Sequence, residues 1–234
     1  MRTAFEEELK QLKNDVLTMS SGILRSYGAL RKAAAEGDRA TLEQIVGGDS
    51  GTGLTERRIE DRCMSLIISQ QPVAGDLRFI TASLKMVTDL ERVAHHLADI
   101  AELVIRLRCV DTAGYSGHLD KMAARAGESF SSAVSAFLTG RTDEARQVVE
   151  GDDEIDALFN EVKDDLVRKL RQPDAGRQKG GEDETDGGTC DADVADVCVD
   201  LLMIAKYLEK IGDHAVNIAE WGIFQETGEM THIM

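Results

Sequence analysis

Apolar residues recur along this chain at alternating steps of three and four, the spacing that places them on one face of a helix. In the first half this pattern predicts three helices. The first ends near the Glu36-Gly37-Asp38 turn, the second begins at Leu42, and the third runs from Val73 to Arg108. Pro72 fits the first turn of the third helix, where its missing N–H is tolerated. No alternating strand pattern competes with these three apolar faces.

The predicted second helix contains a glycine-rich segment, Gly47 to Gly53, with four glycines in seven residues. Each glycine inside a helix costs about 1 kcal/mol relative to alanine. The sequence therefore predicts that this helix is interrupted at the segment and resumes through Ile59.

The second half of the chain predicts three more helices. The fourth stops at Gly140, the fifth has Thr142 as its N-cap and continues to Leu170, and the sixth starts its apolar pattern at Val194. Residues 172–189 are rich in Gly, Asp and Glu, and we expect them to form a solvated acidic loop because they cannot pack a core. The whole pattern favours an all-α fold of long antiparallel helices arranged in bundles.

The third and sixth helices contain similar sequences. The segment Leu90–Glu102 corresponds to Leu208–Glu220, 118 positions later, and the apolar positions of the two segments coincide. A repeat of this length indicates a duplicated unit of three helices rather than an array of short modules. The sequence therefore predicts two pseudo-symmetric three-helix bundles, one formed by residues 1–110 and the other by residues 111–234.

Two acidic stripes accompany the apolar positions of the second half. Glu209, Asp213 and Asn217 follow one another at steps of four on the sixth helix, and Asp152 and Asp156 share this spacing on the fifth. Residues four apart lie on one helical face, so two facing stripes would bring four carboxylates together. A multivalent cation would remove the repulsion between them. Oxygen ligands with an optional imidazole suit iron, manganese, magnesium or zinc; the alternative is a solvated acidic face.

The third helix carries a related stripe of Glu91, His95 and Asp99, in which His95 stands where the second half has an aspartate. An imidazole there can serve as a metal ligand through one ring nitrogen. The equal alternative is that the first half has lost its metal site. His96 and His214 occupy equivalent positions of the repeat, and we expect them to be hydrogen-bonded residues of a helix interface.

Charge and composition exclude several classes of function. The chain has 27 basic and 43 acidic residues, a net charge of −16, which argues against sequence-independent nucleic-acid binding and against docking on an anionic bilayer. No signal peptide, membrane-spanning run or CxxC pair is visible, so we expect a cytosolic protein with reduced cysteines. The hydrolase, phosphate-loop and dinucleotide-binding motifs are also absent, so we expect no enzymatic activity.

Several segments together carry a resemblance to a known family. They are Gln70–Ile80, Asp152–Asp156, Leu208–Glu220 and Trp221–Glu229. The run Leu-Glu-Lys-Ile-Gly-Asp-His-Ala-Val-Asn-Ile-Ala-Glu in the third of these is close to the most recognisable motif of the PhoU family of phosphate-uptake regulators. The similarity extends over nearly the whole chain apart from the two glycine-rich stretches.

The resemblance implies a fold of two symmetric three-helix bundles, often as a homodimer, and a negative regulator of the phosphate-starvation response. Such proteins are thought to link the cytosolic ATPase of the phosphate ABC transporter to a membrane sensor histidine kinase, reaching the membrane only through these partners. Some members hold multinuclear metal clusters through paired acidic motifs. On this sequence those motifs are Asp152 with Asp156 and Glu209 with Asp213.

The sequence departs from the family pattern mainly in its first half. The partner acidic motif is expected at Asp49 and Gly53, so one carboxylate is missing, and the Glu91 motif ends in His95 instead of an aspartate. We therefore expect tighter binding of iron, manganese or magnesium in the second half, and a bias of the first site toward zinc. The acidic loop 172–189 is also longer than expected.

Two alternatives to a non-catalytic regulator remain open from the sequence. One is a carboxylate-rich helical metalloprotein, either a metal store or a di-metal enzyme, which would need an open coordination position and a substrate pocket. The other is a structural bundle whose acidic stripes are simply solvated.

Overall fold

The computed structural model describes residues 2–107, 112, 115–172, 178–182 and 189–229, without the side chains of residues 2, 3, 49, 50, 178–182 and 189–192. The elements in chain order are α1 (Arg2–Glu36), α2 (Arg39–Gln70), α3 (Ala74–Leu107), α4 (Leu119–Thr139), α5 (Thr142–Glu150), α6 (Asp152–Leu170), β1 (Gln178–Glu182), β2 (Thr189–Ala192) and α7 (Val194–Thr227).

Helices α3 and α7 form the centre of the molecule and pack against each other more extensively than any other pair. Helix α3 also packs on α1 and α2, whereas α7 packs on α4, α5 and α6. The predicted apolar positions, such as Leu90 of α3 and Leu208 of α7, are buried in one continuous core. The predicted all-α fold of paired three-helix bundles is confirmed. Its division at residue 110 stays a prediction, because residues 108–111 lie outside the described part.

The predicted interruption of the second helix is wrong, because α2 continues from Arg39 to Gln70 through all four glycines. The four glycines together cost about 4 kcal/mol relative to alanine. Against this, α2 buries Leu42, Ile59 and Leu66, each at most 3 % exposed, and each such side chain contributes about 1.5–3 kcal/mol. Tertiary packing on both sides of the segment therefore outweighs its poor helix propensity.

The single fifth helix predicted from the sequence is also wrong, because the chain breaks at Gly151 into α5 and α6. A Cβ at Gly151 would collide with the guanidinium of Arg125 from α4. That guanidinium continues to the first turn of α6, where its Nε donates to Glu154 at 2.6 Å. Glycine at this position therefore lets Arg125 tie α4 to the beginning of α6.

Two helix boundaries differ from the prediction by one or two residues. The backbone enters α5 through Arg141, so Thr142 is the first helical residue and not the N-cap. Pro72 lies in the short connection before α3, which begins at Ala74. Gly140 does end α4 as predicted, with a positive φ of 70°.

The predicted acidic loop 172–189 contains a strand, because β1 pairs with β2 in a two-stranded antiparallel hairpin. Backbone pairing supplies this hairpin with its hydrogen bonds without demanding apolar side chains. Among the helices that the structure describes, none combines the length and the hydropathy needed to cross a bilayer. Cys63 and Cys198 are buried free thiols, as predicted, whereas Cys109 lies outside the described residues.

Candidate functional site

The second-half carboxylates meet where the first turn of α6 lies across α7. Gly212 makes this contact possible, because a Cβ there would be only 2.9 Å from Cδ1 of Ile155 and 3.5 Å from Oδ1 of Asp152. The buried Ile155 fixes the height of α6 on α7. Asp152 and Asp156 are consequently held beside Glu209 and Asp213, as the spacing of the two stripes predicts.

Burial and the mutual repulsion of these carboxylates raise the pKa values of the two aspartates of α6. Burial, followed by the negative charges of its neighbours Asp213 and Asp156, raises the pKa of Asp152 to about 6. Burial, followed by the charges of Glu209 and Asp213, also raises the pKa of Asp156. Two or more carboxylates sharing one site cannot all ionise without cost. The cluster of Asp152, Asp156, Glu209 and Asp213, here called the second-half cluster, is therefore incompletely neutralised.

Two lysines of α7 offset part of this negative charge. Lys206 pairs with Glu209, and Lys210 pairs with Asp213 and lies 3.6 Å from Oε2 of Glu209. The hydrogen bond to Asp213 raises the pKa of Lys210. A metal ion entering the cluster would have to displace these ammonium groups from the carboxylate oxygens of α7.

Asn217 is directed away from the second-half cluster and toward α3. Its Nδ2 donates to Oδ1 of Asp89 at 3.1 Å, and Nδ1 of His214 lies 2.8 Å from the same oxygen. Asp89 therefore joins the two central helices across the repeat. Asn217 was predicted to contribute an oxygen to the acidic stripe. In the structure its amide instead takes part in this interface.

In the first half, the acidic residues of α2 that accompany Glu91 differ from those expected. Glu91 and Glu60 both raise the pKa of Glu56, after burial, whereas Arg92 and His95 lower it. The described acidic side chains of α2 that lie near Glu91 are therefore Glu56 and Glu60, whereas the partner motif expected at Asp49 and Gly53 stays a prediction. The side chain of Asp49 lies outside the described residues.

A sequence signal for this motif exists. Glu56-Arg-Arg-Ile59-Glu60 and Asp152-Asp-Glu-Ile155-Asp156 share an isoleucine one position before the second acid. Both isoleucines are buried, at 0 % and 1 % exposure. Aligning the two halves on this isoleucine makes Glu56 and Glu60 the equivalents of Asp152 and Asp156.

His95 and Asp99 have different partners within α3. Nε2 of His95 lies 3.1 Å from Oε1 of Glu91, so these two form one unit. Oδ2 of Asp99 lies 3.8 Å from Nδ1 of His96 and is not directed at that unit. Glu91, His95, Glu56 and Glu60 thus form the first-half cluster, and Asp99 is outside it.

The equivalent histidines lie at the interface between the halves, as predicted, but only His214 has the expected hydrogen bond; the buried Nδ1 of His96 has no hydrogen-bond partner among the described residues. The His96 ring stacks on Tyr207 and on His214, with ring centroids 5.4 and 5.6 Å apart. Burial and the neighbouring His214 lower the pKa of His96. Since His214 is also held by Asp89, this pair serves to connect α3 with α7.

Whether either cluster fits a metal is answered in part by its donors. Both present carboxylate oxygens, which suit hard cations, and the repulsion at Asp152 would be relieved by one. Yet in the part of the chain with described side chains, no three Asp, Glu, His or Cys residues are already gathered around one point. The donors are therefore appropriate, but binding would require their side chains to turn inward.

The protein is of the class of all-α proteins built from two copies of a three-helix bundle. Its two long central helices join the copies, and paired acidic residues lie on the flank of each copy. The family model described as the PhoU domain matches residues 16–104 and 119–222, and the chain belongs to the PhoU family.

Curated relatives match over nearly their whole length. One from Clostridium acetobutylicum, called a phosphate-specific transport system accessory protein PhoU homolog, is 27 % identical over 99 % of this chain and 98 % of its own. A homolog of the same description from Caulobacter vibrioides is 30 % identical over 97 % of this chain and 91 % of its own.

Two crystal structures have the same fold. PhoU from Streptococcus pneumoniae, a phosphate transport system regulatory protein, has a TM-score of 0.80 at 23 % identity and covers 98 % of this chain and all of its own. PhoU from Pseudomonas aeruginosa has a TM-score of 0.80 at 24 % identity, with 96 % of this chain and all of its own covered.

Proposed function

We propose that this protein is an accessory regulator of a phosphate-specific transport system that represses the phosphate-starvation response when phosphate is plentiful. It would act in the cytoplasm by contacting the cytosolic ATPase of the phosphate ABC transporter and a sensor histidine kinase. It would act by binding, without catalysing a reaction, and as a homodimer.

The observation that carries this proposal is the full-length match to the accessory proteins. The similarity spans both halves and 98 % of the Clostridium acetobutylicum relative, so it is not confined to one of the two three-helix units. The net charge of −16 also favours basic partner surfaces over nucleic acid.

Deletion of the gene tests the regulatory role. A reporter of the phosphate-starvation response should stay switched on in high phosphate in the deletion strain, and the wild-type gene supplied in trans should silence it again. A reporter that remains repressed without the gene would rule out negative regulation. Capture of the tagged protein from phosphate-replete cells should yield the transporter ATPase and the kinase; their absence would contradict the proposed partners.

A metal function is supported by the second-half cluster. The raised pKa of Asp152, about 6, marks unbalanced negative charge that a multinuclear iron, manganese or magnesium centre would neutralise. Asp152 and Asp156 from α6 with Glu209 and Asp213 from α7 would hold it. Such a centre would supply multivalent positive charge that fastens α6 to α7.

Metal content of purified variants tests this role and ranks the two clusters. Glu209→Ala/Asp213→Ala should lose most bound iron, manganese or magnesium, whereas Glu91→Ala/His95→Ala should lose mainly zinc. Loss of iron only from the second variant would reverse the ranking, and a metal-free wild type would leave the clusters as solvated acidic faces.

The second candidate function, a metal store or di-metal enzyme, is favoured by the same carboxylates. It differs in requiring turnover or releasable metal in large excess over one centre. Steady substrate conversion by the iron-loaded protein, abolished in Glu209→Ala/Asp213→Ala, would favour it over the regulator.

A further inference from the structure

A cleft of about 550 Å³ lies between α1 and α2 in the first half, and none of its lining residues belongs to either acidic cluster. Three glycines line it, Gly22 from α1 and Gly48 and Gly51 from α2. A Cβ at Gly48 or Gly51 would meet no atom within 4 Å. Close packing therefore does not require these glycines. Their effect is to leave the α1–α2 cleft open where side chains would fill it.

The walls of the α1–α2 cleft carry positive charge. Arg25 of α1 and Arg58 of α2 both line it, and no acidic side chain that the structure describes does so. This contrasts with the whole chain, in which 43 of 234 residues are acidic. Among residues with described side chains, neither Arg25 nor Arg58 has a salt-bridge partner. Two other arginines of α2, Arg39 and Arg62, both have one.

Hydroxyl groups and an apolar floor complete the lining. Ser26 and Thr52 line the cleft and form no hydrogen bond within the described part of the chain, so their hydroxyls are available as donors. Met19, Ile23 and Leu97 form its floor and are at most 5 % exposed. The cleft thus combines two guanidinium groups and two hydroxyl donors with an apolar base.

We propose that the α1–α2 cleft binds a phosphorylated small molecule through Arg25 and Arg58. Guanidinium groups match phosphate oxygens in geometry and form charge-assisted hydrogen bonds with them, and hydroxyls supply further donors. The volume of the cleft lies within the usual range for small-molecule sites and exceeds that of orthophosphate, so an organic body can rest on the apolar floor. The proposal uses none of the residues assigned to the two acidic clusters.

Calorimetric titration of the purified protein with ATP, tripolyphosphate and adenosine tests the proposal in metal-free buffer. ATP and tripolyphosphate should bind saturably, and adenosine should not. Arg25→Gln and Arg58→Gln should each weaken binding about tenfold, the loss of one charged hydrogen bond. Arg57→Gln is the matched control, because this substitution removes the same charge at the adjacent position of α2, and Arg57 does not line the cleft. The control should change the affinity less than about threefold.

A second variant tests the cleft itself. Gly48→Leu fills the space while replacing a glycine inside a helix with a strong helix former, so it should raise the melting temperature and abolish binding together. Three results would overturn the proposal: no saturable binding of ATP or tripolyphosphate, equal binding of adenosine, or equal weakening by Arg57→Gln and Arg58→Gln. Retained affinity in a folded Gly48→Leu variant would place the anion elsewhere.

Discussion

Replacement of two glycines of α2 by alanine should stabilise the protein. Gly47 and Gly53 lie inside the helix, at least eight residues from Arg39 and seventeen from Gln70, and a Cβ at either meets nothing within 4 Å. Each change removes about 1 kcal/mol of unfavourable helix propensity and unfolded-state entropy. Neither residue lines the α1–α2 cleft, so the double variant Gly47→Ala/Gly53→Ala leaves that site intact.

The expected gain for the double variant is about 2 kcal/mol. Unfolding entropy is about 2.1 cal/mol/K per residue, so for 234 residues the melting temperature should rise by about 4 °C. Urea unfolding followed by far-ultraviolet circular dichroism should show a higher midpoint with an unchanged slope.

Gly140→Ala is the control, because it makes the same chemical change where glycine is required. Gly140 has a φ of +70°, and a Cβ there would lie 2.8 Å from Oε1 of Glu226. Alanine should therefore destabilise by about 1–2 kcal/mol. If Gly47→Ala/Gly53→Ala also destabilises, or leaves the midpoint unchanged, α2 is broken at the glycine-rich segment and the reasoning fails.

Three further variants test the carboxylates and the central interface. Asp152→Asn should stabilise the protein at pH 7 by about 1 kcal/mol, a figure discounted for solvent exposure. Because the native pKa of Asp152 is raised to about 6, the wild type loses stability as pH rises from about 4 through 6, so the gain should vanish near pH 4 in unfolding curves. Gly212→Ala should destabilise by about 1–3 kcal/mol in urea, since its Cβ would press on Ile155. Asp89→Ala should cost about 1–3 kcal/mol by the same measurement, because it leaves His214 without its acceptor, and Asp89→Asn should cost less.

How far the fold followed from the sequence depended on which force decided each element. The three-four spacing located the buried faces of the helices, because side-chain burial supplies most of their stability. Propensity alone misled at α2, where Ile59 and Leu66 hold the helix together beyond its glycines. At Gly151 the neighbour that a side chain would meet is Arg125 from another helix, which spacing along the chain does not reveal. Three acidic residues at 152–154 were nevertheless an available sign of a helix start.

The site residues were likewise predictable where spacing along one helix decides their position, and not where a contact between helices does. Spacing along one helix placed Asp152 with Asp156 and Glu209 with Asp213, and the repeat indicated that the two pairs would meet. Spacing could not show that Asn217 turns to Asp89, because that partner lies 128 positions away. Glu56 and Glu60 were not singled out for a related reason: their proximity to Glu91 links two helices and is not visible in the spacing along one.

Counting Glu56 and Glu60 as neighbours of Glu91 changes the comparison between the two clusters. With Asp49 alone opposite Glu91, the first half seemed short of ligands and dependent on ordering a flexible segment. With Glu56 and Glu60 on a continuous helix it offers three carboxylates and the imidazole of His95, and the backbone of α2 needs no ordering. The second half keeps one more carboxylate, but Lys206 and Lys210 already pair with Glu209 and Asp213 and must be displaced. The preference of hard cations for the second half therefore rests on a single charge, offset in part by the two lysines, and His95 becomes the main chemical difference between the clusters. Since imidazole favours zinc over magnesium or manganese, the two halves should differ more in which metal they select than in how tightly they hold one.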